Sequence, residues 1–112
     1  MTPAGNVVLI DAVSKCTSAA QVCLQHCIAR LSTGDTSMAE CARTVRDMLA
    51  ICGAMGPIAS ANSELLQGLA ALCQRACQAC ADACRKHADH HAECRACAEA
   101  CEGTLAVVKK FV

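Results

Sequence analysis

The 112-residue sequence has no tryptophan or tyrosine and a single phenylalanine, Phe111. It therefore offers no platform on which bases could stack. Ten basic and ten acidic residues cancel to a net charge of zero, so no basic groove for a nucleic-acid backbone is expected. Long hydrophobic runs are missing too: the longest, Met48–Ala59, is interrupted by Gly56-Pro57 and falls short of the roughly 18 residues a membrane span needs. Alternating β-branched runs are absent, which argues against strands. No Ser/His/Asp or paired-carboxylate arrangement falls on a common face, so no catalytic role is expected. The N-terminal stretch MTPAGNVVLIDAV has no basic residue before its apolar segment and lacks the charged start of a secretory signal. These absences predict a soluble protein without nucleic-acid or membrane partners. It would be cytoplasmic, or periplasmic if an export signal has been removed.

What the sequence has instead is cysteine, twelve residues in a chain the length of one domain, 1–112. That exceeds the roughly 8–10% that in a short chain signals a disulfide scaffold or a metal protein. Seven of the twelve lie in CQRACQACADACRKHADHHAECRACAEAC, residues 73–101, at intervals of three or four within each cluster.

The spacers are Ala, Gln, Glu, Arg and Lys, all good helix formers, and four helices are expected. The first runs from about Val7 to Leu31 and ends in STGDT, where Gly34 and Asp35 form a turn. Ser37-Met38-Ala39-Glu40 reads as a capping box opening the second, which should stop near Gly53 and before Pro57. The third runs from Asn62 or Ser63 to His87. The fourth runs from Asp89 or His90 to Lys109 or Lys110, whose charges suit the negative end of the helix dipole. Short connections make neighbours antiparallel, so the expected fold is all-α, an up-down-up-down four-helix bundle with a cysteine-lined core.

At 3.6 residues per turn the cysteines form one stripe per helix. Cys16, Cys23 and Cys27 share a face of the first helix, and Cys41 and Cys52 a face of the second with Val45 and Met48 between them. Cys73, Cys77, Cys80 and Cys84 fall within about 60° on the third, and Cys94, Cys97 and Cys101 within a similar arc on the fourth. Each stripe continues into ordinary core residues such as Leu9, Val13, Leu66, Leu69, Leu105 and Val108. The thiols should therefore point inward.

Several chemistries could use such a core. Twelve buried cysteines are too many to be merely small hydrophobes. A disulfide-stapled structural or interaction domain is one alternative, although thiols three or four apart on one helix are poorly oriented to bridge each other. Iron–sulfur runs need loop-like spacing that these helical spacers do not give. A zinc or cadmium thiolate buffer is another alternative. A four-thiolate zinc site carries two negative charges, and three of them would bury six with no Lys or Arg on the inner stripes. Cu(I) carries one charge, favours soft thiolates and leaves a neutral core at one ion per thiolate. Cβ atoms at i and i+4 lie about 5–6 Å apart, so Cys23/Cys27, Cys73/Cys77, Cys80/Cys84 and Cys97/Cys101 are local Cu(I)-binding units.

The set CLQHC, GDTSMAECARTVRDMLAIC and CQRACQACADACRKHADHHAECRACAEAC resembles the bacterial four-helix-bundle copper storage proteins over essentially the whole chain. The resemblance implies a bundle filled with cysteine-bound Cu(I), a homotetramer, and storage of copper for enzymes or sequestration of excess, with unidentified proteins delivering or receiving the metal. The last turns, EGTLAVVKKFV, depart from relatives that carry more thiols there.

The topology should gather His26, Cys27, Met38, Cys41, Cys84, His87, His90, His91 and Cys94 at one end of the bundle, a metal-liganding mouth. Val7, Leu9, Ile10, Val13, Leu65, Leu66, Leu69, Leu72, Leu105 and Val108 should form an apolar plug at the other. Of the histidines, His87 lies on the cysteine stripe, His90 and His91 serve as well in a solvated turn as in ligation, and His26 sits at the stripe's edge, where simple solvation explains it best. Met48 and Met55 are expected to be core fillers rather than ligands.

Overall fold

The computed structural model describes residues 3–112, with side chains from Gly5 onward. Four helices follow one another: α1 (Pro3–Ser32), α2 (Ala39–Ser60), α3 (Leu66–Arg85) and α4 (Ala92–Val108), with a short 3-10 turn, Thr36–Met38, before α2. Each helix packs against two neighbours, α1 on α2 and α4, α3 on α2 and α4. That is the pattern of an up-down-up-down bundle. Its long dimension is 46 Å against 20 and 18 Å across, and about 45 Å is what a straight helix the length of α1 spans.

Two helix ends close in the same way. At the end of α1, Asp35 N–H donates to Arg30 O at 3.2 Å and Gly34 N–H to Leu31 O at 3.0 Å, with Gly34 at φ +91°. At the end of α2, Ser63 N–H donates to Ile58 O at 3.2 Å and Asn62 N–H to Ala59 O at 3.1 Å, with Asn62 at φ +49°. Both are Schellman closures, which need a residue tolerant of the left-handed region. Asn6 ties the second closure to α1: its Nδ2 donates to Ala59 O at 3.0 Å and to Asn62 Oδ1 at 3.1 Å.

The helix boundaries differ from the expected ones where local chemistry was misjudged. α1 begins at Pro3, a residue suited to the first turn because its missing N–H would be unpaired there anyway. The capping box does not form. Asp35 takes Ser37 N–H and the Ser37 hydroxyl and caps the 3-10 turn instead, while Glu40 pairs with Lys86 at 2.9 Å. Nor does α2 stop before Pro57; it runs through to Ser60. Proline inside a helix costs about 3 kcal/mol, part of it from the clash with the preceding Cβ, which Gly56 lacks. Burial of Met55 and Ala59 on the stripe that carries Cys52 and the anchored closure at Asn62 offset the remainder. α3 and α4 start later than expected because Ser63 and His91 sit in the turns that precede them; the Ser63 hydroxyl accepts Leu65 N–H at 3.1 Å.

One buried cluster runs the length of the bundle, and every cysteine belongs to it. At the end away from the histidines, Leu9, Val13, Met55, Leu66, Val108 and Phe111 are buried. Val7, Leu65 and Leu72, expected in that plug, are instead 55%, 67% and 46% exposed. They lie beside the inward stripes, and Met55 and Phe111 fill the space. An 18-residue stretch of α1 within Gly5–Ser32 reaches a mean hydropathy of 1.5, so this helix meets the length and composition test for a membrane span. No long uninterrupted apolar run marks this stretch, because its Val, Leu, Ile, Cys and Ala residues are spread between polar ones. Core helices pass the same test, and the inward stripe of α1 is in the core.

The apolar residues at one end and Val45 and Met48 in the middle hold the helices together without metal. Reduced, metal-free protein should therefore give a strongly helical circular dichroism spectrum, and a coil spectrum that turns helical only with metal would contradict this. Asn6→Ala removes both bonds to the α2 closure but also a buried Oδ1 that has no hydrogen-bond partner. The net loss should be about 1 kcal/mol, read as a lower urea midpoint at unchanged slope, while the exposed Val8→Ala stays within about 0.5 kcal/mol of the parent.

Candidate metal centre

All twelve cysteines are free, and none is more than 1% exposed. Helical spacing turns them inward, and the helix register then decides which sulfurs meet. Within one helix, the Sγ atoms of Cys73 and Cys77, and of Cys80 and Cys84, are 3.9 Å apart. Contacts between helices are as close or closer: Cys41–Cys84 at 3.4 Å, Cys16–Cys101 at 3.7 Å, Cys80–Cys97 at 3.7 Å, and Cys52 at 3.7 Å from both Cys73 and Cys77. Cys23 lies 4.0 Å from Cys41 and from Cys94.

The sulfurs gather into groups whose members all lie within 4.8 Å of one another: Cys23, Cys27, Cys41 and Cys94; Cys23, Cys84 and Cys97; Cys80, Cys97 and Cys101; and Cys16, Cys52 and Cys77. Cys73 joins the last through Cys52 and Cys77. Cys23 and Cys97 each belong to two groups, and Cys16 meets Cys101 at 3.7 Å, so the sulfurs form a connected column rather than separate sites. Soft donors spaced for two- and three-fold coordination suit a soft monovalent ion.

In the metal-free core the thiols act chiefly on one another. The contact with Cys101 holds the Cys16 thiol well below its usual range, that with Cys23 does the same for Cys41, and that with Cys52 brings Cys73 down to about 4. The donors are pushed the other way: Cys23 by Cys27 and Cys41, Cys52 by Cys16 and Cys73. An S–H that donates to a neighbouring sulfur favours that neighbour's anion, so within each contact one thiol gives up its proton more readily than the other.

Two further groups reach this column. Met48, expected only to fill space, takes the Cys16 S–H on its Sδ at 3.6 Å; its place between Cys41 and Cys52 on one face was the available signal. Thr104 is fully buried on the α4 stripe one turn after Cys101. Its hydroxyl donates to Ala100 O at 3.1 Å or Ala12 O at 3.3 Å and adds to the lowering at Cys16. Its place on the α4 stripe, three residues after Cys101, is the signal in the sequence for this residue.

At the other end, His26 Nε2 and His91 Nδ1 are 2.7 Å apart, His26 Nδ1 is 3.1 Å from Glu93 Oε2, and the His87 ring stands edge-on to His91 with centroids 6.0 Å apart. When neutral His26 donates from Nδ1 to Glu93, its Nε2 accepts from His91, which leaves Nε2 of His91 with a free lone pair for a metal. Burial first, then His26, lowers the basicity of His91. His26 is thus half-buried and doubly bonded, not the most solvated histidine as its place at the stripe's edge suggested. His87 sits in the turn after α3 rather than on the helix, and His90 is exposed. His91 precedes α4 with extended backbone and makes no side-chain cap, because its ring is committed to His26. Met38 is fully buried at the start of α2, near the same end.

A family model for copper storage proteins matches residues 4–110. A copper storage protein of Streptomyces lividans, described as loaded with 10 copper equivalents, superposes with a TM-score of 0.84 at 27% identity, covering 96% of this chain and 83% of that one. A second structure, described as copper loading to a cytosolic copper storage protein from the same organism with five coppers, gives 0.86 at 27% identity over 97% and 92% of the two chains. The metal-free copper storage protein 3 of Bacillus subtilis gives 0.80 at 29% identity over 93% and 95%. No curated protein sequence matches. Nearly the full length of the chain is covered by the family model, and its fold and inward sulfurs agree with that match: the chain belongs to the copper storage protein family.

Proposed function

We propose that this chain, acting as one domain, stores copper as Cu(I) on its twelve core cysteines and performs no catalytic step. The observation that carries the reading is the connected column of free, buried sulfurs, each within reach of a neighbour for bridging. One Cu(I) per thiolate leaves no net charge in a core that, among the described residues, contains no Lys or Arg. A full set of tetrathiolate zinc sites would leave that core strongly anionic. Disulfide stapling finds no support in twelve free cysteines, which persist in a reducing compartment or when copper occupies them. The relatives described as copper-loaded support the choice of metal. The proposal includes the homotetramer implied by the family resemblance and transfer of copper to and from other copper-handling proteins.

Within this reading, His87, His91, His26 and Met38 hand copper from solvent to Cys27, Cys41, Cys84 and Cys94 beneath them, with His90 outermost. The opposite end offers Leu9, Val13, Leu66 and Val108, and the Met55 thioether there is fully buried with no imidazole to bring copper to it. Met48 can supplement Cys16 as a thioether donor.

Anaerobic, reduced protein should show close to twelve titratable thiols and take up on the order of ten Cu(I) against a chelator of known affinity. Saturation at three or four ions would favour tetrathiolate sites for a divalent metal and overturn the storage reading. Replacing Met38, His87 and His91 together by Ala should leave capacity nearly unchanged while slowing both loading and removal by an external chelator at least several-fold, and His90→Ala alone should change neither. Loading at the parent rate with several ions of capacity lost would make these residues storage ligands rather than a route in.

A further inference from the structure

The sulfur groups are not equivalent. Among the described residues, one of them, Cys23, Cys27, Cys41 and Cys94, brings four Sγ atoms within 4.8 Å of one another, one each from α2 and α4 and two from α1, while the others bring three. A tetrahedral ion with bonds of about 2.3 Å to sulfur needs S···S edges of about 3.8 Å. The Cys23–Cys41 and Cys23–Cys94 edges are already 4.0 Å. Closing the tetrahedron therefore takes side-chain shifts of less than about an ångström, within what a rotamer adjustment supplies.

The charge argument that disfavours divalent ions applies to the deep core and weakens here. Four thiolates around one divalent ion leave two negative charges at this position. Cys27 adjoins His26 and Cys94 adjoins Glu93, whose side chains are 20% and 36% exposed, and Arg30 lies on the open side less than one turn beyond Cys27. Solvent at this end screens the residual charge, since Arg30 is held by Asp35 and Glu93 is itself anionic. The group of Cys16, Cys52 and Cys77 also has a fourth sulfur nearby, Cys73 at 3.7 Å from Cys52 and 3.9 Å from Cys77, but it lies on stripes that carry Val13, Val45, Met48 and Met55, away from the open end, and lacks that screening.

We propose that Cys23, Cys27, Cys41 and Cys94 form a distinct site for a single divalent d10 ion, Zn2+ or Cd2+, at the histidine end of the bundle. The inference rests on the storage reading in that it uses the same thiols. Binding releases the thiol protons and changes no oxidation state. Because Cys23 also belongs to the group with Cys84 and Cys97, a divalent ion here withdraws a sulfur from the next copper position inward. It also occupies the thiols directly beneath the histidines. Divalent occupancy and copper uptake are therefore antagonistic, and a soft divalent ion closes the store from the top.

The test is titration of reduced, metal-free, full-length protein with Cd2+ under anaerobic conditions, following sulfur-to-metal charge-transfer absorption and bound metal by equilibrium dialysis. One equivalent should bind at least ten-fold tighter than any later one, and Zn2+ should compete for that equivalent. Cys27→Ser and Cys94→Ser should each weaken it at least ten-fold, while Cys73→Ser, three helical turns away, should leave it unchanged. Either serine variant suffices if the other fails to give a helical spectrum. Several equivalents of equal affinity, or a Cys73→Ser loss as large as that of Cys27→Ser, would overturn the assignment. Cu(I) titration of the same samples separates the two readings. If copper uptake is intact while the cadmium pattern fails, only the divalent site falls; if the parent protein takes up neither metal, the storage reading falls with it.

Discussion

Twelve sulfurs have to be buried side by side without a cross-link and without a charge. A thiol meets that condition while it is protonated, because it is a small, weakly polar group that packs like a hydrophobe. It meets the condition again when each thiolate is matched by one monovalent cation. Between those two states any uncompensated sulfur anion is stabilised chiefly by neighbouring S–H groups, which is the pattern at Cys16 and Cys73. The apolar wall around the column follows from the same constraint. Val45, Met48 and Met55 are fully buried, and a lysine or arginine at any of them would be compensated only while sulfurs were ionised and would be stranded in the protonated state.

The division of the bundle into two unlike ends also follows. Thiols alone give little packing contrast to fix one helix against another, since cysteine side chains are short and similar. The non-histidine end provides it with larger residues, Leu9, Leu66, Val108 and Phe111, and with the Asn6 contacts to Ala59 and Asn62. The histidine end is then free to be polar. There the turn between α3 and α4 gives up a side-chain cap at His91 so that its ring can meet His26.

Much of this was legible in the sequence, and the limits are physical. Inward cysteine stripes follow from three- and four-residue spacing, which fixes direction on a helix whatever the partner, so the burial of all twelve was readable. Cross-helix neighbours such as Cys41 and Cys84 were not, because axial register is set by closures at the helix ends. Those closures depend on choices local pattern does not decide: Asp35 rather than Ser37 as the cap, and a helix that crosses Pro57 because Gly56 precedes it and Met55 and Ala59 have a core to enter. His26 was misjudged for a related reason. Its surroundings come from α4, sixty-five residues away, and angular position on α1 says nothing about them.

Register is therefore where sequence, fold and metal chemistry meet. Cys23/Cys27 or Cys80/Cys84 on a single helix offers two sulfurs, enough for one ion bridged locally. Groups of three and four arise only when stripes on neighbouring helices stand level, and a shift of one residue along a helix moves a side chain by about 1.5 Å and 100°. Such a slip in α2 would carry Cys41 away from Cys23 and Cys84 and break the four-sulfur group it completes. The Schellman closures at Gly34 and Asn62, which set where α1 and α2 end, thus determine how many sulfurs an ion meets as much as the cysteines do. A chain with the same cysteines and looser turns would keep its thiols but lose the connected column, leaving two-sulfur sites in place of a continuous store.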